Sequence, residues 1–388
     1  MTPTHLPTPC ISQDGDAPTC DDTAQSGRHR TVTGMTCLAA VHAVLPPHRY
    51  PQDKITEAFA DRVLGDGSSH EVLRRIHANT RVGSRYLALP LDQYWQLDNF
   101  TQANDTFIEV AVELAVQAVQ GALAEAGIDA AEVDVIFSTT VTGLAVPSLE
   151  ARIAARVGFR RDIKRVPLFG LGCVAGAAGI SRLHDYLRGW PEHVGILLSV
   201  ELCSLTLQRG DTSMAHLVAS GLFGDGAAAV VAVGAARADR EQVSGPRVLA
   251  TRSHLYPDTE GVMGWNIGAG GFEIVLTAEV PDLVHQYLGP DIRTVLAEHG
   301  LAPADVGAWV SHPGGPKIIE AIEAELAVAP DALEMTWRSL GEIGNLSSAS
   351  VLHVLRDTLR DRPPPLGSPG MLMAMGPGFS SELVLLRW

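Results

Sequence analysis

The chain has no run of about 20 apolar residues, the length a helix needs to cross a bilayer, so no membrane span is expected. Cysteine is scarce: Cys10, Cys20, Cys37, Cys173 and Cys203 make five, and no two form a C-x-x-C pair. That absence argues against a zinc ribbon or a thioredoxin-type centre, and no metal site is expected. An odd cysteine count, with no secretory signal in the sequence, fits a reducing compartment, so a cytoplasmic location is expected. Basic residues are outnumbered, 29 against 44 acidic, and the net charge of −15 argues against a nucleic-acid partner. What remains is a globular balance, 46% hydrophobic and 19% charged. At 388 residues it suits two packed domains or one large duplicated one.

Residues 1–33 are rich in Pro, Thr, Asp and Gly without periodicity, and read as a mobile tail. From residue 34 strand and helix patterns alternate, the signature of an α/β fold. CLAAVHAVL reads as a strand ending at Pro46–Pro47, and Gln52–Leu64 has helical spacing. Arg74, Arg75, Arg81 and Arg85 then form the most basic stretch. It reads either as a solvated helix face or as a site for a phosphorylated ligand, since arginine forks pair well with phosphate. A helix over Asn104–Ala126, a strand over Val133–Thr140 and a helix over Ser148–Val157 follow. HVGILLSVEL and LFGDGAAAVVAVG contain apolar strands of the doubly buried kind. The last residues, MLMAMGPGFSSELVLLRW, read as a hairpin. Both halves alternate strand and helix, which suggests internal duplication.

One stretch organises the rest. RVPLFGLGCVAGAAGISRL reads as a strand (Val166–Phe169), a glycine turn, and a helix opening at Cys173. Unpaired N–H groups and the dipole at a helix N-terminus favour an anion and lower a thiol's pKa there. A buried, inert cysteine is the competing reading. His312 falls at the end of another strand, in VSHPGGPKI, and Asn345 just before a helix, in GNLSSASVL. Ser347 and Ser348 are placed to cap that helix. Asn345 as a cap and His312 as a satisfied turn residue are the structural alternatives. Taken together, a thiol near an imidazole is an activated nucleophile, and His with Asn can donate to an oxyanion.

With these motifs, and with SVELCSLT, LFGDGAAA and GPGFSSELVLL in matching order, the sequence over residues 34–388 resembles the type III polyketide synthases, the chalcone-synthase-like branch of the thiolase superfamily. The resemblance implies a duplicated five-layer αβαβα thiolase-like fold. Its N-terminal half (34–245) would carry the cysteine and its C-terminal half (246–388) the His and Asn. It also implies a homodimer with no cofactor beyond its coenzyme A thioester substrates. Cys173 matches the nucleophile that takes the starter acyl group. His312 matches the residue that keeps it a thiolate, and His312 with Asn345 the pair that binds the malonyl-CoA carbonyl. Phe223 matches the aromatic gatekeeper. Arg74, Arg75 and Lys317 are the candidate contacts for coenzyme A.

Thr142, Cys203 and Thr206 match cavity-lining positions, and Ile274 stands where plant enzymes have a second phenylalanine. Val141 replaces a threonine of the plant cyclisation network, whose other members, Glu201 and Ser347, are retained. The slender set resembles actinobacterial enzymes taking long acyl chains. The expected starter is therefore a medium or long fatty acyl-CoA, and the expected product an alkylpyrone, or an alkylresorcinol. A ketoacyl synthase III-like enzyme using malonyl on an acyl carrier protein is the alternative. A papain-like hydrolase fits the cysteine surroundings poorly, and a non-catalytic lipid-binding scaffold gives no reason for three polar residues at junctions.

Overall fold

The structure, a computed structural model, describes residues 34–63 and 67–388; the tail expected over 1–33 lies outside the described residues. The strands are β1 (Cys37–Val44), β2 (His48–Pro51), β3 (Ser84–Leu87), β4 (Val133–Thr139), β5 (Lys164–Leu168), β6 (Val194–Leu202), β7 (Asp225–Val233), β8 (Arg247–Leu255), β9 (Met263–Gly268), β10 (Gly271–Leu276), β11 (Ala308–Ser311), β12 (Pro369–Gly376) and β13 (Ser380–Arg387). Nine join in the order β11-β12-β13-β8-β1-β7-β6-β4-β5. The duplication suspected from pattern is plain in the pairing. From the middle outward, β1-β7-β6-β4 runs antiparallel, antiparallel, parallel, and β8-β13-β12-β11 repeats that sequence. The halves meet at β1 and β8 through the single register pair Cys37–Arg247.

β4, β6, β7, β12 and β13 are buried along nearly their whole length, which is why they read as apolar runs, whereas β5 and β8 stay partly exposed. In β6, Ile196, Leu198 and Val200 face a cluster shared with the Phe100–Ala126 helix, while Leu197 faces the opposite one. In β12, Leu372 and Ala374 join that same central cluster, and Met371, Met373 and Met375 face outward. The central cluster is filled by the Ala175–Gly189 and Ser350–Asp361 helices. The outer C-terminal cluster is filled by the Gly289–Glu298 and Pro316–Leu326 helices. The layers are therefore helix, sheet, helices, sheet, helices. The Phe100–Ala126 helix is long and apolar enough to cross a bilayer by composition, yet it packs on β1, β6 and β7 with Phe107, Leu114 and Val119 buried.

Element boundaries differ from expectation where local bonding decides them. The long helix starts at Phe100, four residues early, because the Asn99 side chain caps it by accepting from Gln102 N. β5 stops at Leu168, and Phe169 beyond it is 51% exposed. Ser347 and Ser348 cap nothing: Ser350 Oγ accepts from Leu346 N at 2.6 Å, and both preceding hydroxyls turn to other partners. The β9–β10 hairpin is half exposed and weakly patterned, and has no counterpart among the sequence expectations.

Candidate active site

Cys173 lies not in the first turn of the α-helix but in a 3-10 turn, Gly172–Val174, that runs into it. Gly172 has φ +56°, and a Cβ there would meet Pro377 Cδ at 2.5 Å, so only glycine lets the turn pack under the β12–β13 loop. His312 directly follows β11 and extends its pairing, its N–H donating to Met373 O at 2.9 Å. Asn345 sits between two helices, clamped by its backbone: its N–H donates to Leu222 O and its carbonyl accepts from Gly224 N, both at 2.9 Å. Gly344 before it has φ +76°, and a Cβ there would meet Leu222 O at 2.8 Å. Three distant segments thus converge on one cavity of about 80 Å³, lined among others by Val141, Cys173, Phe223, His312, Asn345 and Ser347.

The amide of Asn345 is oriented by its surroundings. Oδ1 accepts from Ser347 N at 2.8 Å, which leaves Nδ2 as the donor, 3.3 Å from Gly314 O. Neither ring nitrogen of His312 has a hydrogen-bond partner among the described residues. Burial alone drives its pKa down to about 3, so the ring is neutral. Cys173 Sγ donates to Ser347 Oγ at 3.7 Å. Burial pushes its thiol up to about 12, against the Ser347 bond, while the Glu201 carboxyl adds to the rise. Burial thus opposes the thiolate expected from a helix N-terminus and from His312, and among the described residues no cation is hydrogen-bonded to the sulfur.

Glu201 is fully buried beneath this cavity, its pKa raised by that burial and held back by the hydroxyls and amide around it. It accepts from Thr140 Oγ1 at 3.2 Å, Val141 N at 3.1 Å and Thr142 Oγ1 at 2.9 Å, and from Ser348 Oγ. Ser347, the expected partner, is bonded to Cys173 instead. Thr142 lines neither of the cavities described here, because Glu201 and Leu202 N hold its hydroxyl. Cys203 and Ile274 do line the Cys173 cavity. They also line a second cavity of about 80 Å³, together with Thr206, Phe59, Leu91 and Trp95. Phe223 and Trp265 stand between the two.

The basic stretch splits. Arg74 and Arg75 are exposed, and Arg74 pairs with Glu71 at 3.6 Å. Lys317 is exposed on the first turn of its helix, one residue before the cavity-lining Ile318. Arg81 pairs with Glu320 at 2.6 Å. Arg85 is 3% exposed and lines the second cavity. Burial of an arginine in a basic run gives no sequence signal, nor does the role of Trp265, which rides on the unforeseen hairpin.

The family model for chalcone and stilbene synthases matches in both parts, the N-terminal domain over residues 23–237 and the C-terminal domain over 247–388. The chain belongs to this family, the type III polyketide synthases. The synthase is 55% identical over 362 residues to 1,3,6,8-tetrahydroxynaphthalene synthase of Streptomyces peucetius subsp. caesius, covering 93% of this chain and 95% of that one. It is 33% identical to a putative chalcone synthase of Bacillus subtilis, over 91% of this chain and 99% of the relative. The crystal structure of 1,3,6,8-tetrahydroxynaphthalene synthase from Streptomyces coelicolor A3(2) superposes with a TM-score of 0.85 at 30% identity, over 91% of this chain and 99% of that one. The synthase is thus a decarboxylating, condensing acyltransferase with a thiolase-like fold. It acts on acyl-CoA and malonyl-CoA thioesters and needs no cofactor. The carrier-protein alternative is not favoured.

Proposed function

We propose that the synthase primes itself with malonyl-CoA and builds a polyhydroxynaphthalene. The observation that carries this reading is the 55% relative over nearly the whole chain, named for a product whose skeleton is five two-carbon units with oxygen on alternate positions. Such a skeleton has no room for a fatty tail. In this reading Cys173 Sγ gives its proton to neutral His312 and forms a bond to the starter acyl carbon. The bond to coenzyme A sulfur breaks, and coenzyme A leaves as the thiol. His312 and Asn345 Nδ2 then donate to the thioester oxygen of the next malonyl-CoA. As CO2 leaves, that oxygen takes up the enolate charge. The carbanion bonds to the acyl carbon on Cys173, the bond from that carbon to Cys173 Sγ breaks to give the thiolate, and the lengthened chain stays on coenzyme A. Phe223 gates the passage, and exposed Arg74, Arg75 and Lys317 are available to coenzyme A phosphates.

A second reading, a medium or long fatty acyl starter closing to an alkylpyrone or alkylresorcinol, is favoured by one feature: the apolar second cavity behind Cys203 and Ile274. Burial of each methylene there contributes about 0.8 kcal/mol only while there is room. Incubation with malonyl-CoA alone, and with a panel of acyl-CoAs, separates the two by mass spectrometry. A naphthol from malonyl-CoA alone supports the first reading. No product without an added acyl-CoA overturns it in favour of the second. The two halves divide near residue 246 in this reading, and the synthase acts in the cytoplasm as a homodimer. Support for the dimer is an uncovered edge: β5 is the last strand of the sheet, and Val146 (96% exposed), Leu144 and Phe169 crowd the same end of it.

A further inference from the structure

The second cavity is apolar except for a few groups, and two of these each have a nitrogen with no partner among the described residues. Arg85 is buried, and its guanidinium is only partly used. Nε donates to Gln52 Oε1 at 3.0 Å and Nη1 to Phe223 O at 2.7 Å, while Nη2 is buried without an acceptor among the described residues. No ion pair joins Arg85 to a carboxylate among the described residues. Asp225, whose charge it feels, gives its oxygens to Ala88 N at 2.6 Å, Ser204 N at 2.8 Å and Ser204 Oγ. His216 is 5% exposed and lines the same cavity, and its Nε2 is also buried and has no partner among the described residues. Its Nδ1 lies 3.9 Å from Asp211, and its ring packs on Phe59 at 5.7 Å.

A buried guanidinium nitrogen with no acceptor leaves a large desolvation penalty standing, which a water, an ion or a ligand would relieve. The matching ligand is an oxygen anion that enters through the Phe223–Trp265 passage. We infer that Arg85 Nη2 and His216 Nε2 together form a subsite for a carboxylate-ended acyl chain, which reads the distal end of the chain held on Cys173. The inference rests on the malonyl-primed reading. A chain started by malonyl-CoA carries a free carboxylate at its far end until that group is lost as CO2, and a fatty chain carries none. The apolar wall of Phe59, Leu87 and Leu91 holds the methylenes, and the two nitrogens hold the anion. Arg85 also fixes the Phe223 backbone, so it is a positioning residue for the gate as well as a specificity residue.

The test compares two five-carbon thioesters, glutaryl-CoA and pentanoyl-CoA, by the rate at which each acylates Cys173, read on the intact protein by mass spectrometry. The wild type should favour glutaryl-CoA. Arg85→Gln should lower the glutaryl/pentanoyl ratio about 10- to 100-fold, the scale of one hydrogen bond to a charged group. Arg85→Lys, which keeps the charge, should recover most of it. His216→Phe should lower the ratio by a smaller factor, and decides alone if Arg85→Gln does not fold. An equal loss for both thioesters would show a structural role only and overturn the subsite, as would a wild type with no preference. A glutaryl preference in an enzyme that makes nothing from malonyl-CoA alone sinks the starter reading and leaves the subsite standing. Naphthol formation with a ratio indifferent to both substitutions does the reverse.

Discussion

At the scale of single residues, burial favours an uncharged site. Cys173 is a thiol held near pKa 12 and His312 an imidazole held near 3, both by burial. Since the thiolate is the reactive form, alkylation should be slow at neutral pH. Its rate at Cys173 should climb about tenfold per pH unit between roughly pH 7 and 9 without levelling off, because the fraction ionised grows that way below the pKa. Iodoacetamide labelling followed peptide by peptide gives the profile and separates Cys173 from the other thiols. A plateau below about pH 8 would mean that His312 carries the proton in the free enzyme. In the proposed mechanism Asn345→Ala removes one donor to the enolate. It should lower malonyl-CoA decarboxylation about 100- to 1000-fold while acylation of Cys173 continues. Release of labelled CO2 and acyl-enzyme formation, measured side by side, test that split, and decarboxylation at the wild-type rate would remove Asn345 from the step. The strand end at His312 and the helix starts beyond Cys173 and Asn345 were legible in the sequence, though Asn345 follows a helix and not the strand a strand-to-helix junction implies. The protonation state was not, because a motif carries no measure of how much water a fold removes.

At the scale of elements, the loop that delivers Asn345 depends on Gly344, whose φ of +76° and ψ of −165° fall in a region open to glycine alone. Gly344→Ala adds about 1–3 kcal/mol of strain. It also pushes Asn345 off the Leu222 carbonyl, and a displacement near 1 Å costs about 100-fold in turnover. We expect a modest fall in Tm with a large fall in kcat. Equal activity at reduced Tm would show that the donor tolerates the shift. Strands with two covered faces were readable from their unbroken apolar runs. The β9–β10 hairpin was not, because its residues alternate weakly and are half exposed, yet it carries Trp265 and Ile274 into the cavities. Ser347 and Ser348 show a related limit. With Ser347 at φ +49°, the first hydroxyl turns to Cys173 and the second to Glu201, an exchange that sequence spacing does not encode.

At the scale of the whole molecule, the repeated pairing order of the two half-sheets explains why both halves showed the same alternation without visible sequence identity: a layer needs apolar runs, not particular residues. The edge at β5 is one place where the large sheet leaves bulky apolar groups uncovered, Leu144, Val146 and Phe169 following β4 and β5. If it is the dimer face, Val146→Asp should shift the protein toward monomer in sedimentation at micromolar concentration, since burying an unpaired carboxylate is strongly disfavoured. An unchanged sedimentation coefficient would place the contact elsewhere. The backbone that joins Phe223 to Asn345 has a consequence of its own. Leu222 O, Gly224 N and the Asn345 peptide form one short ladder, and Arg85 ties the Phe223 carbonyl into it. In the roles proposed for Phe223 and Asn345, the doorway and the electrostatic anvil are a single part. A mutation that widens entry by moving this segment also blunts the polarising amide, so selection for new substrates through the gate meets a built-in loss of turnover. Side chains that touch the gate without moving its backbone are the open route to new chemistry.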